Sequence, residues 1–129
     1  MNQDGRVYQQ DIVPFIRLRQ PVLQASSQLV DTVTYSATVL FDLNAANIFT
    51  VTLKGAAILS IKNASIGQGC KIRFIQDATG SRTVTWFDVN WAGGSAPTLT
   101  TTANHWDVIE LLCTGNNTFD GKVWGADFS

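Results

Sequence analysis

The sequence predicts an all-β fold, an antiparallel β-sandwich of jelly-roll type, and two observations carry that prediction. Short runs rich in Val, Ile, Thr and aromatic residues recur along the chain, several alternating apolar with polar as a half-buried strand does. Gly, Asn or Asp interrupts these runs about every eight to twelve residues, the spacing of a sandwich rather than of a sheet with crossover helices.

Residues 1–30 read differently from the remainder. Pro14 and Pro21 oppose a continuous helix, as do the restricted residues before them, Val13 and Gln20. An extended N-terminal arm is expected, and about 30 extended residues span up to roughly 100 Å. Its apolar residues Ile12, Val13, Phe15, Ile16 and Leu18 need cover, and Arg17 and Arg19 suit carboxylates or aromatic faces where they land. The arm therefore reads as a partner-binding element, docking on neighbouring subunits or a larger shell; the alternative is an edge strand added to its own body.

Residues 31–129 form the expected sandwich domain. Val30 to Phe41 reads as one or two strands, and Asp42 to Asn47 as a turn or single helical turn. Ile48 to Leu53 alternates most clearly, with Phe49, Val51 and Leu53 on one face. Ala56 to Lys62 follows, then a loop from Asn63 to Gly69. In Cys70 to Gln76, the residues Cys70, Ile72 and Phe74 face inward. Arg82 to Phe87 and Thr98 to Ala103 flank a turn containing Trp91, Gly93, Gly94 and Pro97. His105 to Cys113 has some helical spacing, but the β-branched Val108 and Ile109 favour a strand, and Lys122 to Phe128 closes the set. No internal repeat is apparent.

Composition narrows function. The 129 residues include 15% charged and 45% apolar side chains, so charge falls short of the usual quarter, as it does in surfaces that meet other proteins. A coat of Thr and Ser chosen for strand propensity would also lower it. A net charge of −1, from 9 basic and 10 acidic residues, offers no field for nucleic acid or an anionic membrane. No run approaches the roughly 18 apolar residues of a membrane helix, and the N-terminus lacks a secretory pattern, so synthesis in cytoplasm is expected. Cys70 and Cys113 are then expected to be buried free thiols.

The residues offer little for catalysis, and no enzyme activity, cofactor or metal is expected. His105, the only histidine, has Asp107 two residues on, on the same strand face, but no nucleophile nearby in sequence. It reads as a strand-end residue or as one hydrogen-bonded at a subunit contact. Single carboxylates scattered through the chain make no evident acid/base pair. Of the four tryptophans, Trp86 and Trp124 are expected in the core; Trp91 and Trp106 are expected to be exposed, against another subunit or a ligand.

The stretch from Gln76 to Ala103 organises the others by its turns. Gln76, Gly80, Arg82-Thr83-Val84-Thr85-Trp86, Trp91, Gly93-Gly94 and Pro97-Thr98-Leu99-Thr100, with Asp107-Val108 beyond, resemble a β-sandwich domain of tailed-bacteriophage fibre and virion structural proteins. The resemblance runs from about Tyr35 to the C-terminus and implies a non-enzymatic virion component, usually a homotrimer. Because the chain is short, a capsid cement or decoration protein binding the major capsid protein or another virion protein is the first expectation. The alternative is a tail-fibre or receptor-binding tip that recognises host-surface glycan.

Overall fold

Alternation along the strands decides which side chains the fold buries. In a computed structural model of the chain, residues 29–129 are described. The arm residues Ile12, Val13, Phe15, Ile16, Arg17, Leu18 and Arg19 lie outside the described residues. The strands are β1 (Val30–Val33), β2 (Thr38–Asp42), β3 (Ile48–Leu53), β4 (Ala57–Lys62), β5 (Gly69–Gln76), β6 (Val84–Thr85), β7 (Val89–Trp91), β8 (Trp106–Gly115) and β9 (Thr118–Phe128). There is no helix among the described residues; the segment with competing helical spacing forms most of β8.

The strands make two layers. One sheet has six strands in the order β1-β3-β5-β8-β9-β7, and the other has three in the order β2-β4-β6. The rings of Phe41, from the small sheet, and Phe49, from the large one, lie 5.2 Å apart; Phe41 and Phe74 meet edge to face at 6.3 Å. Phe49, Val51, Leu53, Ile72, Ile109 and Leu111 supply the large sheet's inner face, and Val39, Phe41, Ala57 and Leu59 the small sheet's. Cys70 and Cys113 are free and buried in this core, as expected. Burial, reinforced by the neighbouring Cys113, pushes the Cys70 thiol up to about 12, so it is an inert core group rather than a nucleophile.

The all-β class is present, but the antiparallel, jelly-roll-like pairing is not. Five of the seven strand pairings are parallel; only β5 with β8 and β8 with β9 are antiparallel. The reason lies in the route of the chain. From β1 to β6 it alternates between the layers, so each strand returns to its own sheet after one strand in the other and runs the same way as before. A strand in the opposite layer thus serves as the crossover that parallel pairing requires. Val30 pairs with Ile48 and Ile48 with Lys71, offsets of 18 and 23 residues; Thr38 pairs with Ile58, an offset of 20. These unequal circuits explain why a coil exists without a legible sequence repeat.

After β6 the coil ends and polar staples take over. Gln76 is 2% exposed, and its amide is fully engaged. Its Nε2 donates to the carbonyls of Arg82 (3.0 Å) and Thr100 (2.9 Å), while its Oε1 accepts from the Arg82 backbone N–H at 2.9 Å. One side chain therefore ties down both arms of the Gln76 to Ala103 stretch. Asp77 accepts from the backbone N–H groups of Thr79 and Gly80 and forms an ion pair with Arg82 at 3.0 Å. The Arg82 guanidinium holds the Asp77 carboxyl below the usual carboxylate range. Gly80 is required at this turn: its φ is +73°, and a Cβ there would come within 2.6 Å of the Thr101 carbonyl oxygen.

Candidate functional site

The inner face of the large sheet is closed by the core, so a site for a partner must lie outside or at an edge. With Cys70, Ile109, Leu111 and Cys113 turned inward, the intervening residues Lys71, Glu110 and Leu112 turn out. Leu112 pairs with Gly69 on β5 and Asp120 on β9, and Asp120 pairs with Asn90 on β7. The absence of a side chain at Gly69 leaves room beside Leu112. A cleft of about 590 Å³ opens here, lined by Asn90, Trp91, Glu110, Leu112, Asp120 and Lys122 among others. A hollow of about 190 Å³ adjoins it across Gly69 and Glu110, adding Asn47, Ile48 and Lys71, so a trough crosses the strands at this end of the sheet.

Ion pairs hold the trough's charged groups in place. Glu110 bridges Lys71 (3.6 Å) and Lys122 (3.7 Å), one carboxylate oxygen to each. All three side chains are more than a third exposed, so these pairs position the groups without adding much stability. Trp91 supports the cleft from beneath. Its ring meets Trp86 edge-on at 4.8 Å, and a Cβ on Gly121 would come within 2.7 Å of its Cζ3. Gly121 is thus the residue that lets the Trp91 ring lie against β9. The expectation of an exposed Trp91 gives way to a half-buried ring packed on the core. Trp86 packs against the core as expected, but its Nε1 is buried with no hydrogen-bond partner among the described residues.

The arrangement suits a hydroxyl-bearing ligand. Asn90 brings an amide, Asp120 and Glu110 bring carboxylates, Lys122 brings an ammonium, and Leu112 and Trp91 supply apolar surface. Mixed donors and acceptors over an apolar floor are the usual composition of a small-ligand site. Among the described residues, no three His, Cys, Asp or Glu side chains come together as a metal site would require.

The other candidate residues gather at the opposite end of β8. His105 Nδ1 lies 2.6 Å from Asp127 Oδ1, so its partner is not Asp107. Asp107 is buried and spends both oxygens on backbone N–H groups, of Thr100 at 2.6 Å and Asp127 at 2.7 Å. The i, i+2 spacing is real, but the carboxylate is taken by the backbone that packs over it. Asp127 itself has a φ of +58°, which turns the end of β9 back toward β8.

Trp106 lies on the outer face in a row of stacked groups. The Arg73 guanidinium is 4.5 Å from its ring centroid, and the Phe128 ring stacks on it at 6.1 Å and 21°. Trp124 continues the row, 6.3 Å from Phe128, with Lys71 Nζ 5.9 Å from its ring centroid. Here the expectation for Trp124 is corrected: at 56% exposed it is the outermost tryptophan and takes no part in the core. Trp124 shares the outer face with Phe128 and Lys71, on the side of the large sheet away from the core. The stack's ring faces are largely spent on one another, and it clasps β9 rather than offering a flat platform.

Sequence reasoning missed Asn90, Leu112, Asp120 and Lys122, and it did not single out Glu110. Asn90 and Asp120 meet only because β7 runs parallel to β9, a pairing that no local pattern announces.

The chain was compared with known families, curated proteins and solved structures. A family model described as "Putative phage tail fibre C-terminal domain" matches residues 35–118, about two thirds of the chain and everything from β2 to the start of β9. No curated protein and no solved structure matches it.

Proposed function

The chain belongs to this phage tail fibre C-terminal domain family, a virion structural protein, and from that premise we propose that it serves as a receptor-facing fibre domain that binds a neutral sugar of the host surface. The observation that carries the reading is the trough: Asn90, Asp120, Glu110 and Lys122 surround apolar surface at Leu112 and Trp91. Sugar hydroxyls both donate and accept hydrogen bonds, and this set offers both roles. The lysines lie beside Glu110, which favours an uncharged ligand over an acidic one. The domain acts by binding alone, without turnover, and as a homotrimer, so that weak single-site affinities multiply through avidity.

Against a capsid cement bound to the major capsid protein, both the trough and the family description favour the fibre. Binding of the full chain to an array of bacterial surface glycans tests the choice. The fibre reading expects a defined set of neutral glycans to be bound, and Asn90→Ala or Asp120→Ala to weaken binding at least about tenfold with folding unchanged, the loss of roughly one hydrogen-bonded contact. An array without signal, or binding indifferent to both substitutions, overturns it.

A further inference from the structure

The register of the large sheet sorts the residues around the trough into two rows. Gly69 on β5, Leu112 on β8, Asp120 on β9 and Asn90 on β7 pair strand to strand and make one row. Lys71, Glu110 and Lys122, again one residue each from β5, β8 and β9, make the next. The rows lie two residues apart along the strands, about 6.8 Å, and both are on the face away from the core. The first row is low where Gly69 has no side chain and Leu112 an apolar one. The second stands up as a run of ion-paired side chains, Lys71 to Glu110 at 3.6 Å and Glu110 to Lys122 at 3.7 Å. A floor beside a wall, both running across the strands, makes a groove with a direction rather than a pit.

The groove is also long. Asn47, one residue before β3, lines one end, where its carbonyl accepts from the Lys71 backbone N–H at 2.9 Å. Asn90 lines the other end on β7, the last strand of the sheet. From β3 to β7 the sheet takes four strand-to-strand steps of about 4.8 Å, so the two positions stand about 19 Å apart, the length of about four linked pyranose rings. Past β7 the chain continues through Ala92, Gly93 and Gly94, and a Cβ on either glycine would meet nothing within 4 Å, so that end of the groove is open. A single sugar ring reaches one of the two carboxamides at a time, whereas a linear chain reaches both while its rings cross the apolar floor at Leu112. An extended peptide is less suited, because a groove across the strands offers side chains rather than the strand-edge N–H and C=O groups with which a peptide strand pairs.

Resting on the sugar-binding reading, we propose that the trough takes an internal run of about four units of a linear neutral glycan, laid across the strands from Asn90 to Asn47, rather than one terminal sugar. The cleft at Asn90, Asp120 and Leu112 holds one part of that run, and the smaller hollow at Asn47 and Lys71 holds the other.

Titration of the full chain with a neutral glycan that it binds on the array, cut to successive lengths from a single sugar upward, tests this. Affinity should rise at least about tenfold between the single sugar and a fragment of about four units and then level off. Asn47→Ala should flatten that rise, bringing the longer fragments down at least about fivefold, the loss of roughly one hydrogen-bonded contact, whereas Asn90→Ala should weaken every length. Affinity independent of length, or a rise that survives Asn47→Ala, overturns the proposal and leaves the sugar-binding reading standing. A chain that binds no fragment and nothing on the array overturns both.

Discussion

The coil of β1 to β6 and the C-terminal unit of β7 to β9 are built on different physics within one domain. The coil is stacked apolar layers: Phe41, Phe49, Val51, Leu53, Leu59 and Phe74 fill it, and the buried polar Gln76 stands only at the end of β5, where the coil gives way to the loops. The C-terminal unit depends on specific polar and aromatic fastenings. Gln76 ties the loops at both ends, Asp107 holds the turn of Asp127, and Arg73, Trp106, Phe128 and Trp124 stack on the outer face. Apolar stacking tolerates circuits of unequal length because it asks only that inward positions coincide. Polar fastening demands particular atoms in particular places, and the trough, which needs the same precision, lies against the fastened part.

The comparison is broken most severely at Gln76. Replacing it with Leu keeps the volume but strands the Arg82 N–H and deprives two part-buried carbonyls of their donor. With about 1–3 kcal/mol for each buried group left unsatisfied, a loss on the order of 3–5 kcal/mol is expected in denaturant unfolding. Hydrogen exchange should rise first in β7 and in residues 98–105, and the coil should open only with the whole domain.

Gly121→Ala attacks the closure of β7 on β9 with a smaller effect. The added methyl would meet Trp91, Val89 and Leu111 side-chain atoms at 2.7, 2.7 and 2.9 Å, and overpacking of this kind costs about 1–3 kcal/mol. Because Trp91 must move, sugar binding should weaken along with stability, and titration of the variant with a glycan bound by the unmodified chain checks both. The smallest effect is expected at Trp86→Phe. Removing an indole N–H that has no partner among the described residues relieves about 1–3 kcal/mol of desolvation, which offsets most of the lost ring contacts, so the stability from thermal unfolding should shift by less than about 1 kcal/mol. A full large-to-small penalty would mean that the N–H has a partner after all.

Strand content was legible wherever burial imposes a period of two. IFTVTL became β3 with Phe49, Val51 and Leu53 fully buried, and CKIRFIQ became most of β5 with Cys70, Ile72 and Phe74 inside. Pairing direction was not legible, because a strand alternates identically whether its neighbour runs with it or against it. The tryptophans were misassigned for a related reason. Trp124 looks like a core residue by type, yet it lies beside Lys71 and Phe128 on the outer face, next to a register shift in the β8–β9 pairing that no local pattern announces. His105 and Asp107 have the spacing of one strand face, but His105 precedes β8 and pairs with Asp127, and the backbone N–H groups of Thr100 and Asp127 claim the Asp107 carboxylate.

By itself, then, the sequence determined that this chain forms strands, which residues of each strand are apolar, and that the turns between Gln76 and Ala103 matter, since these follow from side-chain chemistry within a few residues. The tertiary structure alone decided that the chain winds between two layers, that β7 lies beside β9, and that Asn90, Asp120 and Lys122 line one trough. Those outcomes depend on which strands meet, and strand pairing is a contest among distant segments that no local pattern records.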